Sequence, residues 1–162
     1  MQYYDDFYDG LKETRNILYR QIDTVAALNK LLSTIRSEIN NLKNYKINLK
    51  GDNLLLYKEY LNNLINVFND YEIKLEELIK IKGGYPIYQL GDIENISLIK
   101  TLPSIDYKIN TIISNINNEL KIIKKLINES IENALKEQDF STVFILSELL
   151  FNVNKIIVSL SL

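Results

Sequence analysis

Hydrophobic side chains return every three or four positions along most of this chain, in four separate stretches. In the first, Ile22, Val25, Leu28, Leu32, Ile35, Ile39 and Leu42 fall on one stripe of a helix. The second aligns Leu61, Leu64, Phe68, Tyr71, Leu75 and Leu78. The third aligns Ile105, Ile109, Ile112, Ile116, Leu120, Ile123, Ile127, Ile131 and Leu135. The fourth carries Val143, Leu146, Leu149, Leu150, Val153, Ile156, Ile157 and Leu160. The third stretch, about 30 residues, would make a rod of about 45 Å. No segment alternates with period two for long enough to predict a sheet. The pattern predicts an all-α chain of four amphipathic helices.

The breaks between the stretches agree. Gly51 is read as the C-terminal cap of the first helix, and Asp52 or Asn53 as the N-cap of the second. "GGYP", from Gly83 to Pro86, ends the second helix, because glycine reaches left-handed φ and proline cannot continue the ladder. In "LPS", Ser104 is the expected N-cap of a third helix beginning at Ile105. "QDFST" is so short a turn that helices three and four must run antiparallel. The connection from Gly83 to Ser104 is far longer and holds a weak helical fragment near Asp92 to Leu98. A long second connection fits a ferritin-like bundle, in which the chain crosses between helices two and three, rather than an up-down bundle.

Composition narrows the chemistry. A chain of 162 residues is expected to form a single domain, 1–162, with residues 1–10 as an N-terminal tail. Five glycines and two prolines favour long uninterrupted elements. There is no cysteine, which excludes disulfides, thiolate nucleophiles and thiolate-bound metals. There is no histidine either, which removes the commonest metal ligand and the side chain that titrates near neutrality. The net charge of −2, with both signs interleaved, makes no strong field for nucleic acid or an anionic membrane. No apolar run is seen to approach the ~20 residues of a membrane span. The opening "MQYYDDFYDG" is acidic and aromatic, unlike a signal peptide, so a cytoplasmic chain is expected. The surplus of Ile, Asn and Lys is read as the mark of an AT-rich genome.

Four motifs, in order, then suggest a family. "VAALNKLLS" from Val25, "NYKINLKGDN" from Asn44, "IKGGYP" from Ile81 and "DFSTVFIL" from Asp139 resemble the Dps mini-ferritins, the DNA-protection-during-starvation family. Their counterparts there are the start of the first helix, the N-Y-H-W-N-V-x-G-x-N signature, a glycine pair closing the second helix, and a G-D-x-x-T-x-D-x-L turn. The resemblance runs from Val25 to Leu162. It implies a ferritin-like four-helix bundle with a short helix in the long crossover, assembled as a hollow dodecamer. The activity it implies is oxidation of iron by peroxide at sites shared across two-fold dimers. Iron is therefore the one metal the resemblance makes possible, and no resident cofactor is expected.

Carried over residue by residue, the resemblance also implies that this site is degenerate. The first histidine of the family centre falls at Lys46, and the tryptophan beside it at Ile47. The second histidine falls at Lys58, and an aspartate one turn later at Asn62. The aspartate and glutamate given by the partner subunit fall at Ile73 and Glu77, so Glu77 alone is retained. Iron needs several lone-pair donors converging on an open position, whereas a lysine ammonium has donors only and repels a cation. The acid of the T-x-D-x-L turn falls at Phe144, so a cation-attracting pore is expected to lose a contributor.

The expectation is thus a shell or scaffold subunit without a catalytic site, in which Lys46 and Lys58 salt-bridge Glu77 of the dimer mate. It would form a homo-oligomer or co-assemble with an active paralogue. Taken as ordinary surface lysines, Lys46 and Lys58 would carry no such meaning. One alternative is a mini-ferritin storing iron through cavity carboxylates, although Asp70, Glu72 and Glu76 read more simply as a solvated face or cavity lining. A second alternative is a four-helix interaction protein that forms no cage. The tyrosines of "YYDDFY" read as anchors of the tail onto a neighbouring helix. "KIIKK", from Lys121 to Lys125, is the densest basic run and reads as an exposed helix face. With an acidic start and an end inside the last helix, DNA binding is expected to be weak or absent.

Overall fold

The computed structural model describes residues 2–161, with side chains from residue 23 to residue 161. Five helices and two short strands follow one another as α1 (Gln2–Asn48), β1 (Leu49–Lys50), α2 (Leu54–Ile81), α3 (Leu90–Ile96), β2 (Tyr107–Lys108), α4 (Ile109–Lys136) and α5 (Phe140–Leu160). The acidic, aromatic opening falls in the first turns of α1, and its tyrosine side chains lie outside the described residues. The four long helices and the short one in the crossover make the all-α, ferritin-like bundle that the hydrophobic period predicts. α1 packs on both α2 and α4, and α4 packs on α5.

The core is where the stripes place it. Leu28, Leu32, Ile35 and Leu42 of α1 meet Leu61, Phe68 and Leu75 of α2. Ile112, Ile116, Leu120, Ile123 and Ile127 of α4 and Leu146, Leu149 and Val153 of α5 complete the same cluster. Burying each such side chain contributes about 1.5–3 kcal/mol, which is what holds helices this long against one another.

The third stripe is cut at both ends. Ile105 is 55% exposed and Leu135 49%, and α4 begins at Ile109 rather than after Ser104. Ser104 is not an N-cap: its hydroxyl accepts a hydrogen bond from Asn48 Nδ2 at 3.0 Å. The residues the period assigned to the helix start instead form β2, which pairs in parallel with β1, Leu49 opposite Tyr107 and Lys50 opposite Lys108. Two residues per strand are too few to leave a period-two signature. The Gly51 reading shifts as well. α1 ends at Asn48, before the bridge, and Gly51 supplies the turn beyond it with φ 129°. Asn53 holds the N-cap position of α2 in the left-handed region (φ 56°) and makes no side-chain capping bond.

The ends of α2 and α4 close alike. The Gly84 amide donates to Ile79 O and the Gly83 amide to Lys80 O, with Gly83 at φ 79°, a Schellman termination. A Cβ on Gly84 would stand 2.6 Å from Val25 Cγ1, so "GGYP" also lets the chain pass tightly over α1. At α4 the Asp139 amide donates to Ala134 O and the Gln138 amide to Leu135 O, with Gln138 at φ 57° where glycine is usual.

The long crossover is fastened to α1 by amide and hydroxyl side chains. Asn29 donates to Tyr85 O at 3.0 Å and accepts from the Ile87 amide at 3.1 Å. Thr34 accepts from the Leu98 amide at 3.2 Å. Asn41 donates to Lys100 O and accepts from the Leu102 amide, both at 3.0 Å. Asn44 donates to Leu102 O at 3.1 Å and Pro103 O at 3.0 Å. A carboxamide carries both a donor and an acceptor, so Asn29 and Asn41 act toward the crossover as a neighbouring strand would. These asparagines therefore have structural work, which the reading of asparagine as genomic bias overlooks.

The expectation that no segment is apolar enough to span a membrane also needs correction. α5, 21 residues with only Glu148 and Lys155 charged, is long and apolar enough by length and composition alone. It packs into the bundle through Thr142, Leu146, Leu149 and Val153.

Candidate functional site

The residues singled out by sequence lie along one side of the α1–α2 hairpin. Lys46 stands in the last turn of α1, and its Nζ donates to Asn62 Oδ1 on α2 at 3.0 Å. Ile47 beside it is 72% exposed. Lys58 is half-buried, whereas Asn62, Ile73 and Glu77 are exposed along α2. Among the described residues neither Lys58 nor Glu77 forms an ion pair within the chain. Geometry forbids one between them: at 1.5 Å per residue, they stand about 28 Å apart along a single rigid helix. The structure thus brings Lys46 and Asn62 together and leaves Lys58 half-buried and Ile73 and Glu77 exposed.

Beside this strip sits an ionic cluster that sequence reasoning did not find. Arg36 of α1, 10% exposed, pairs through Nε with Glu72 at 2.8 Å and through its terminal nitrogens with Glu76 and the Ile87 carbonyl. Its guanidinium lies 4.6 Å from the centre of the Tyr88 ring. Glu72 and Glu76 are consequently claimed by an arginine and are not a free acidic lining, while Asp70 remains exposed. The signal available in sequence was the cation itself, an arginine one position from the apolar stripe at Ile35, with Glu72 and Glu76 one turn apart on α2. Among the described residues, no three His, Cys, Asp or Glu side chains converge as a metal-binding group.

At the other end of the hairpin Lys82, 9% exposed, lies between Glu137 Oε2 at 3.3 Å and Asp139. Asp139 caps α5, accepting from the Thr142 amide at 3.2 Å and the Thr142 hydroxyl at 2.6 Å. Although burial opposes it, the Lys82 ammonium and the Thr142 bonds hold the Asp139 carboxyl well below the usual range. Thr24 Oγ1 donates to Glu137 Oε1 at 2.5 Å, so α1 joins the same knot. Phe144, where the family resemblance puts the pore acid, is 74% exposed, and Phe140 and Phe151 are exposed along the same helix.

A long α-hairpin, a crossover carrying a short helix, and a second hairpin define a ferritin-like bundle. The ferritin-like domain family matches residues 25–160, and the chain belongs to that family. Its fold is that of the Dps mini-ferritins. It is similar to the crystal structure of Dps from Staphylococcus aureus at 22% identity and a TM-score of 0.82, covering 87% of this chain and 94% of that one. A Dps protein from Bacillus brevis is 19% identical with a TM-score of 0.84, covering 88% and 95%. Dps from Vibrio cholerae O1, described as a member of a broad superfamily of ferritin-like diiron-carboxylate proteins, is 18% identical with a TM-score of 0.83, covering 88% and 89%. Among curated protein sequences none matches the chain.

Proposed function

We propose that this chain is the cytoplasmic shell subunit of a Dps-like cage, a dodecamer, in which the shared iron-oxidising centre has given way to a charged clamp. The observation that carries the reading is the outer strip of the α1–α2 hairpin. Its cationic end (Lys46 and Lys58) and its anionic end (Glu77) lie too far apart to satisfy each other within one subunit. An antiparallel two-fold pairing of α2 against its copy brings Glu77 of each subunit toward Lys46 and Lys58 of the other. Such pairs specify docking more surely than they add stability. Ile47 and Ile73 supply exposed apolar surface on the same strip.

Iron as a substrate would meet ammonium groups where imidazoles are needed, and Glu72 and Glu76, beside this strip, are held by Arg36. That arrangement favours a protective or scaffolding shell, self-assembled or built with an active paralogue, over a storage protein that uses cavity carboxylates. The test is light scattering combined with aerobic Fe(II) oxidation, with and without peroxide. A large closed assembly that oxidises iron no faster than buffer is expected. A monomer or isolated dimer would remove the cage, and oxidation well above buffer would remove the inactive centre. A gel shift at physiological salt is expected to show little DNA binding, as a net charge of −2 with interleaved signs implies.

A further inference from the structure

Two carboxyl groups meet inside the bundle, away from the hairpin strip. Glu38 of α1 is fully buried, and written as a carboxylate it has no hydrogen-bond partner for either oxygen. Opposite it on α4, Glu119 Oε1 accepts from Asn41 Nδ2 at 3.0 Å and from the Tyr45 hydroxyl at 3.3 Å, while its Oε2 has no partner. Two facing carboxylates, one with no partner and the other with one oxygen unpartnered, would be among the costliest defects a core can contain. A single proton removes most of the defect.

We propose that Glu38 and Glu119 share one buried proton, Glu38 being the neutral acid that donates to Glu119 Oε2, so that folding retains a proton and acidification stabilises the bundle. Both unpartnered sides are then used: Glu38 gains an acceptor and Glu119 a third donor. Burial first, then the charge of Glu119 and the bond to it, hold the Glu38 carboxyl well above the usual range. Burial raises Glu119 too, but the bonds from Glu38, Asn41 and Tyr45 favour its charged form. Burial and the charge of Glu119 also raise the Tyr45 hydroxyl, which keeps it a donor.

The surroundings offer no competing counter-ion. Glu119 is the one charged group that acts on Glu38 among the described residues. The other titratable groups are Tyr45 on α1 and, stacked edge-on 5.1 Å from it, Tyr107 just before α4. No lysine or arginine of α2 or α5 enters the set. The unfolded chain releases the Glu38 proton near the ordinary carboxyl range, whereas the folded chain keeps it. The contribution is therefore full at acid pH and drains away as pH rises toward the folded-state value.

Thermal unfolding of the full chain and of Glu38→Gln, from about pH 5 to about pH 9, tests this. Glutamine keeps the shape and a donor to Glu119. The wild-type midpoint is expected to fall with pH relative to that of the variant; parallel curves would overturn the proposal. Infrared spectra at neutral pH should contain a protonated-carboxyl stretch that Glu38→Gln lacks. Its absence from the wild type would overturn the proposal even if the variant did not fold. Manganese or calcium raising the midpoint of the wild type and not of Glu38→Gln would make the pair a cation site and overturn it as well.

Discussion

Lys82 and Asp139 join the end of α2 to the first turn of α5 through an ion pair that hides nine-tenths of the lysine side chain. The carboxylate does two jobs there, capping a helix and balancing a buried ammonium. Asp139→Ala is expected to cost about 2–4 kcal/mol, from a lost cap and a lysine left with Glu137 alone. Asp139→Asn, which keeps a capping oxygen, should cost less. Because the folded carboxyl lies below its unfolded value, this stabilisation is complete above about pH 4 and disappears as pH falls further. Urea denaturation at neutral and acid pH reads both effects.

Gln138 occupies a left-handed position that closes α4. Gln138→Gly is expected to stabilise the chain by about 0.5–1 kcal/mol, since glycine adopts that φ without a Cβ penalty. The urea midpoint should rise with an unchanged slope, and an unchanged or lower midpoint would count against a strained cap.

Asn41 serves the crossover and Glu119 together. Asn41→Ala leaves Lys100 O and the Leu102 amide without these partners and should cost about 2–4 kcal/mol. Hydrogen exchange gives the specific signature. Protection at the Leu102 amide should collapse while amides in the middle of α2 stay protected.

On the outer strip, Glu77→Lys would set like charges against Lys46 and Lys58 of the neighbouring copy. Dimer association is expected to weaken about tenfold to a hundredfold. Combining it with Lys58→Glu should recover most of the loss, as sedimentation would show. A double variant no better than the single one would dissociate these residues from the interface.

The helices were legible because their cores repeat. Every position of the Leu61-to-Leu78 stripe is buried, as are Leu28, Leu32, Ile35, Ile39 and Leu42. What escaped was written in single residues or short runs. β1 and β2 are two residues each, and Gln138 does the work of a glycine without being one. Arg36 with Glu72 and Glu76, and Glu38 with Glu119, are pairings between residues far apart in sequence, and no local pattern announces them. The outer strip was legible only through family resemblance; periodicity alone would have passed over Lys46 and Lys58 as surface lysines.

The asparagine seam on α1 has one more consequence. Apolar helices can slide or roll against each other by part of a turn and still find contacts, because greasy surfaces are forgiving. Asn29, Thr34, Asn41 and Asn44 are not forgiving, since each recognises particular backbone groups of the crossover, two for each asparagine and one for Thr34. Rotate α1 by one position and all four lose their mates at once. The crossover thus works as a key cut to the helix, and it sets the rotational phase in which α1 presents Lys46 and Ile47 to whatever lies outside.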